Sequence, residues 1–230
     1  MAAGATLASF CGYGITTFQT SFLIRTHGVT LTEATLLFNV PSAFAASVGV
    51  VMTGWMAEKV VKRHPNAIAW LPAIGLVACV PFYLLGFSAE NKWVALFGIC
   101  MGAGIKYGYL AAQYTIGQGV VGARTRATAT AILLFIINLL GYGAGPPFIG
   151  YVSDIFFSMS ADAEGFADLA RASCKGAALQ ALPDAAQAFC RAAEAKALQN
   201  SLLITSVLYA APALFFMMCI KTLQKDLVAK

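Results

Sequence analysis

ATLLFNVPSAFAASVGVVMTGWMA, residues 34–57, runs for 24 residues without an acid or a base and then breaks into Glu58-Lys59-Val60-Val61-Lys62-Arg63. A helix crossing a hydrocarbon core of about 30 Å needs roughly 20 mainly apolar residues, so this stretch reads as a membrane span that ends in a basic loop. Five more runs of the same kind lie at 5–24, 67–87, 93–115, 127–153 and 200–220. They are long and continuous, unlike the segments of about ten alternating residues that build a β-barrel. In lipid, only helices then satisfy their own backbone groups. Pro41, Pro81 and the Pro146-Pro147 pair fall inside these runs, where they mark bends.

Composition points the same way. Of 230 residues, 59% are hydrophobic and 11% charged, against about 25% charged in soluble domains. Mean hydropathy is +0.74. These values exclude soluble enzymes, nucleic-acid modules and disordered scaffolds. The formal net charge of +5 is therefore a matter of membrane orientation, with the lipid bilayer as partner and no nucleic acid expected.

Six spans put both termini on one side. That side carries Lys59, Lys62, Arg63, Arg124, Arg126, Lys221, Lys225 and Lys230, and the other carries Arg25, Lys92, Arg171, Lys175, Arg191 and Lys196. Four of the latter six lie in one long polar insert, and long segments translocate with little regard to charge. The short loops thus predict cytoplasmic termini in the inner (plasma) membrane. No basic leader precedes the first span, which is too long for a signal-peptide core. The chain starts directly in a hydrophobic helix, and we expect further sequence upstream of it.

The domain division expected is 1–154 for five spans, 155–199 for an outward, periplasmic, Ala-rich insert and 200–230 for the sixth span and its tail. In the insert, Pro183-Asp184 reads as the first turn of a short helix, where proline is tolerated and an acid favours the helix dipole. Cys174 and Cys190 lie on the oxidising side, where two short helices would let them pair. The alternative is two unpaired thiols in a loose loop. Cys11, Cys79, Cys100 and Cys219 read as apolar packing residues. His27 and His64 are isolated, so neither a metal site nor a cofactor is expected.

The Gly54-Trp-Met-Ala57-Glu58-Lys59-Val-Val-Lys62-Arg63 loop resembles the G-x-L-A-D/E-R/K-x-x-R/K-R loop of the major facilitator superfamily, with Glu58 where the family more often has Asp. An ordinary positive-inside loop accounts for the basic residues but not for the Gly-x-x-Ala-Glu order. Gly54 would let two helices approach closely. Glu58 would dock at the positive N-terminus of another helix, the expected recipient being Thr125-Arg126, in one conformation and not in the other. The stretch from Arg126 to Asp154, with Gly141, Gly145, Pro146, Gly150 and Ser153, is similar to the eleventh helix of spinster-like members, and Phe22 to Gly28 to their seventh-helix exit. Gly141 and Gly145 form a small-x-x-x-small seam, with a bend permitted at Pro146. The resemblance covers the whole chain as the C-terminal half of a twelve-helix fold. It implies an all-α membrane protein of six transmembrane helices, one half of a major-facilitator-type bundle, carrying an extra helical insert.

Polar groups inside a bilayer are costly, about 2.5–3.5 kcal/mol for a central lysine on insertion scales. Lys106 lies near the middle of span four, and Lys106, Tyr109 and Gln113 share one helical face. That stripe either lines a water-filled cavity for an anionic or hydrogen-bonding solute, or holds a structural lysine on a backbone carbonyl. Span one offers Tyr13, Thr16, Thr17, Gln19 and Thr20, and span five offers Asn138. The resemblance places spans one, two, four and five around a central cavity, and so Tyr13, Thr17, Lys106, Tyr109, Gln113 and Asn138 at a substrate site. No acid lies deep inside a span. Glu33, Glu58, Glu90 and Asp154 sit near span ends.

The function expected is transport of a small, amphipathic or anionic solute by alternating access, with a second six-helix bundle completing the site. That bundle is an N-terminal half encoded elsewhere or a second copy of this chain. A channel or other membrane interaction module is the alternative. Enzymatic chemistry is not expected, since no nucleophile elbow, metal set or embedded acid pair is present.

Overall fold

A computed structural model describes residues 1–64, 66–119, 121–166 and 171–226. Asp168 and Lys230, and the side chains of Lys221 and Lys225, lie outside the described residues. Every regular element among them is helical: α1 Ala2–His27, α2 Leu31–Glu33, α3 Val40–Val61, α4 Ala67–Ser88, α5 Lys92–Lys106, α6 Tyr109–Gly119, α7 Arg126–Ala163, α8 Gly176–Gln180, α9 Asp184–Leu208 and α10 Ala210–Asp226.

The breaks have local causes. Thr30 and Glu33 form a reciprocal capping box that starts α2. Pro41 cannot donate to the carbonyl one turn back, and the turn before it widens to π form over Ala34–Asn39, so α2 and α3 run on as one helix from Leu31 to Val61. Pro212 removes the same bond one turn after Leu208, where α9 gives way at Tyr209 to α10. Between α5 and α6 the chain turns at Tyr107-Gly108, so the fourth span is interrupted just after Lys106 rather than continuous. Glycines on both sides serve its close contact with α3: a methyl at Gly49 of α3 would overlap the Gly104 carbonyl, and one at Gly108 would come 2.7 Å from Thr53 Oγ1.

Among the described residues, five helices are long and apolar enough to cross a membrane: Leu31–Val61, Ala67–Ser88, Lys92–Gly119, Arg126–Ala163 and Asp184–Ile220. The first helix has the length, 26 residues, but Tyr13, Thr16, Thr17, Gln19 and Thr20 lower its apolarity. α1 packs along α7, α9 and α10, α3 along α5, and α4 along α5 and α10. The core between them holds Phe22, Tyr83, Phe87, Tyr209 and Phe216, all fully buried or nearly so. Gly145 lets α7 lie against α1, since a methyl there would overlap the Phe10 carbonyl; one at Gly141 would come 2.8 Å from Ser9 Cβ. Pro146 and Pro147 lie inside α7, just past this seam.

At one end of the bundle Met1 packs with Ile68, Ile116 and Ile220, so the start of α1 and the late part of α10 share that end. At the other end lies the stretch 155–199, much of which is helix extension. α7 continues to Ala163, and α9 begins at Asp184 and runs 25 residues as a long helix, where the sequence suggested a short one. Cys174 and Cys190 form a disulfide there, Cα atoms 5.3 Å apart, within a small core of Phe157, Ala161, Phe189 and Ala193. The bridge closes a loop with a sequence separation of 16, which restricts the unfolded chain by about 3 kcal/mol. Dithiothreitol should accordingly lower the thermal midpoint of the purified chain and leave a Cys174→Ser/Cys190→Ser variant, already destabilised, unmoved.

Candidate functional site

The unusual helix end is α5. It stops at Lys106, in its last turn, where a cation is favoured by the helix dipole. Lys106 is only 3% exposed. Its Nζ lies 4.6 Å from the centroid of Tyr107, 5.6 Å from Tyr83 and 5.9 Å from Tyr209. Among the described residues no carboxylate pairs with it.

A cavity of about 280 Å³ opens over this lysine between α1, α5, α6 and α7. Tyr13, Lys106, Tyr109, Gln113 and Asn138 all line it. The helix break does not scatter the Lys106–Tyr109–Gln113 stripe. Tyr13 Oη donates to Asn138 Oδ1 at 2.7 Å, joining α1 to α7 across the cavity, and Asn138 Nδ2 donates to the Leu134 carbonyl. Tyr109 Oη and Ser9 Oγ share a hydrogen bond of 3.0 Å. Gln113 is 1% exposed and its Oε1 has no partner. Thr17 lies elsewhere: it is exposed, and its hydroxyl donates to the Tyr13 carbonyl of its own helix. Thr20 and Gln19 instead meet Asn39 in the π turn, at 2.9 and 3.1 Å, a polar link between α1 and the second helix. Sequence reasoning missed Ser9, Gly12, Tyr107 and Tyr114 as lining residues. The glycines at 102, 104 and 108 were the available signal for an interrupted helix, a feature of transporter binding sites.

A larger depression, about 1290 Å³, lies between α4, α7, α9 and α10 and has Ser88 as its one polar lining residue. It lacks the convergent polar groups of a solute site.

In the basic loop, Glu58 is expected to dock at Thr125-Arg126 in one conformation and not in the other. Glu58 pairs with Lys62 on its own chain turn at 3.3 Å, both side chains about 70% exposed, and not with Thr125-Arg126. Gly54 faces open space rather than a neighbouring helix. The reason is that α3 stands away here: a gap of about 460 Å³ lies between α3, α4 and α6, lined by Gly54, Ala57, Glu58, Pro72, Tyr114 and Thr115. Lys59 covers the Trp55 ring at 3.6 Å, while Lys62 and Arg63 border a shallow basic hollow.

At the opposite end, Glu194 is 7% exposed and accepts from Arg25 at 2.8 Å and from Arg171 at 3.1 Å. Arg171 also pairs with Asp154 and donates to Ser153 Oγ at 3.0 Å. This cluster ties the end of α1 to α9, and α9 through Arg171 to α7.

No known family model matches the sequence. An MFS-type efflux pump of Mycolicibacterium smegmatis (strain ATCC 700084 / mc(2)155) is 29% identical over 152 residues, which is 66% of this chain and 35% of that protein. A crystal structure of a bacterial homologue of the human lysosomal transporter Spinster, inward-facing and occupied, superimposes with a TM-score of 0.89 at 32% identity, over 99% of this chain and 50% of the other. The inward-facing, unoccupied form gives 0.88 at 33% identity, over 99% and 48%. The chain thus spans half or less of the length of these relatives.

Proposed function

We propose that this chain, whose relatives are an MFS-type efflux pump and a spinster-like transporter, is the C-terminal six-helix half of a secondary transporter of the major facilitator superfamily for a small, amphipathic or anionic solute. The observation that carries the reading is the buried, uncompensated Lys106 facing a cavity of hydrogen-bonding side chains. A lysine in lipid without a carboxylate partner is retained for a task, and attraction of an anionic group from the solute is the task this cavity suits.

The sixth crossing is α1. Met1 at one end of the bundle and Arg25, bonded to Glu194, at the other support a helix that runs its whole depth. Both termini, with Lys59, Lys62, Arg63, Arg124 and Arg126, then lie on the cytoplasmic side of the inner membrane, and the disulfide-bonded insert faces outward. Alternating access rocks two such bundles about a midplane site. Glu58 is undocked from the start of α7, which fits the state open to the cytoplasm that both structural neighbours share. The apolar faces of α3 and α7, with Phe44, Val51 and Trp55 on one and Phe135, Leu139 and Tyr142 on the other, are exposed and suit lipid and the complementary bundle. That bundle is an N-terminal half or a second copy.

One cavity wall binds a solute without enclosing it. Liposomes loaded with NBD-labelled lysophosphatidylglycerol and carrying the chain alone should show no flux in a dithionite-quench assay, although the purified chain binds octyl phosphate. Flux from liposomes carrying this chain alone would assign the complementary bundle to a second copy rather than an N-terminal half, and no binding of octyl phosphate at all would overturn the reading.

A further inference from the structure

Lys59, Lys62 and Arg63 follow one another at spacings of three and one, which places them on one face at the end of α3. With His64 they line an open hollow of about 620 Å³. The chain tightens there, the Val60 carbonyl accepting from the backbone N–H of Arg63 at 3.1 Å and of His64 at 2.8 Å. Like charges at this spacing repel, and the fold supplies little against them. Glu58 takes Lys62 at 3.3 Å, and the negative end of the α3 dipole is worth about half a charge. Lys59 is held over the Trp55 ring. Among the described residues Arg63 meets no acid. The hollow is thus left positive by about one and a half charges. Its level in the membrane follows from the helix that carries it. The apolar helix Leu31–Val61 ends here, so the charges stand where hydrocarbon gives way to head groups. Trp55, 58% exposed and one turn before Lys59, is of the residue type that gathers at that level.

We propose that this hollow is a seat for the phosphate of an anionic membrane phospholipid, with Arg63 as the recognising group. A guanidinium offers two parallel N–H donors to two phosphate oxygens. Lys59 and Lys62, already held by Trp55 and Glu58, act as point charges at the rim. The acyl chains lie along the same helical face one to three turns earlier, where Met52, Trp55 and Met56 are exposed. One stripe of α3 therefore runs from apolar to basic, matching a lipid from chain to head group. That apolar part commits the hollow to a lipid, since a free phosphate leaves it unused. The assignment is independent of the transport reading: it concerns the surrounding membrane and uses no group of the Lys106 cavity.

Native mass spectrometry of the purified chain in non-ionic micelles, titrated with dioleoyl phosphatidylglycerol or dioleoyl phosphatidylcholine, reads the first lipid bound. Phosphatidylglycerol should bind the more tightly, because the choline lipid brings a cation of its own. Arg63→Gln should weaken phosphatidylglycerol about tenfold or more and leave phosphatidylcholine within threefold. Arg63→Lys keeps the charge but loses the fork, and should still cost at least threefold. Residue 63 is exposed, so neither change disturbs the fold. Arg124→Gln removes an equal charge from an exposed position just before α7, and should cost no more than twofold. Equal losses from Arg63→Gln and Arg124→Gln, full affinity of Arg63→Lys, or equal binding of the two lipids would overturn the seat and leave a diffuse basic surface. Displacement by glycerol 3-phosphate, a head group without chains, would overturn the lipid as occupant. If Lys106→Met loses phosphatidylglycerol while Arg63→Gln keeps it, the lipid lies in the solute cavity and the seat falls.

Discussion

Replacing Lys106 with methionine should abolish measurable octyl phosphate binding while raising the thermal midpoint of the chain. The two effects have opposite signs because one charge serves the ligand and burdens the fold. Removing one partner of a buried, hydrogen-bonded charge pair costs about 2–5 kcal/mol of binding free energy, which is roughly thirtyfold to several thousandfold in affinity. Octanol should lose little. The same ammonium is buried, Lys106 being 3% exposed, and among the described residues no carboxylate pairs with it. Placing it there costs about 2.5–3.5 kcal/mol on insertion scales. The dipole of α5 returns about 0.3–1 kcal/mol, and the rings of Tyr83, Tyr107 and Tyr209 return about 0.5–2 kcal/mol. The remainder favours methionine, whose stem fills the same space. A structural lysine would give the other pattern, binding unchanged and stability reduced, and scanning fluorimetry beside titration separates the two.

Which features of the molecule were legible in its sequence follows from how local their causes are. The run at 34–57 and its neighbours declare membrane helices because lipid demands length and apolarity of each helix separately. The Gly141/Gly145 seam was legible because close helix approach needs small residues at that spacing, and the structure presses α1 against both. The stripe of Lys106, Tyr109 and Gln113 was read from an uninterrupted helix and reaches the cavity although the helix breaks at Tyr107-Gly108. What was not legible depends on partners far away in the chain. Tyr209 reads as an ordinary apolar-span tyrosine until Gly12, nearly two hundred residues earlier, is seen to leave it room. Glu58 pairs within its own helix in this state, and no local pattern says which state a chain adopts. Glu194 sits in the polar insert as one acid among scattered charges, and only folding reveals that two arginines meet it.

Glu194 should, for that reason, be the acid whose loss the fold tolerates least. It is 7% exposed, and each of its oxygens takes a different guanidinium: Oε2 that of Arg25 on α1, Oε1 that of Arg171 in the insert. Truncation to alanine strands both. Arg171 retains Asp154 and Ser153, but among the described residues Arg25 has no other acid. Breaking a buried pair by removing one partner costs about 3–5 kcal/mol, and the 35% exposure of the Arg25 side chain puts the expectation at the lower end. Asp154→Ala is the control, since its side chain is 65% exposed and exposed pairs contribute about 0–1 kcal/mol. Glu194→Ala should therefore lower the midpoint far more than Asp154→Ala, and it should do so with the disulfide reduced as well as intact, because the carboxylate ties α1 to α9 and the disulfide does not. Equal effects from the two alanines would show that the outward end is held by Phe157, Phe189 and the Cys174–Cys190 bridge alone. In that case α1 would be free to shift against α9 at that end.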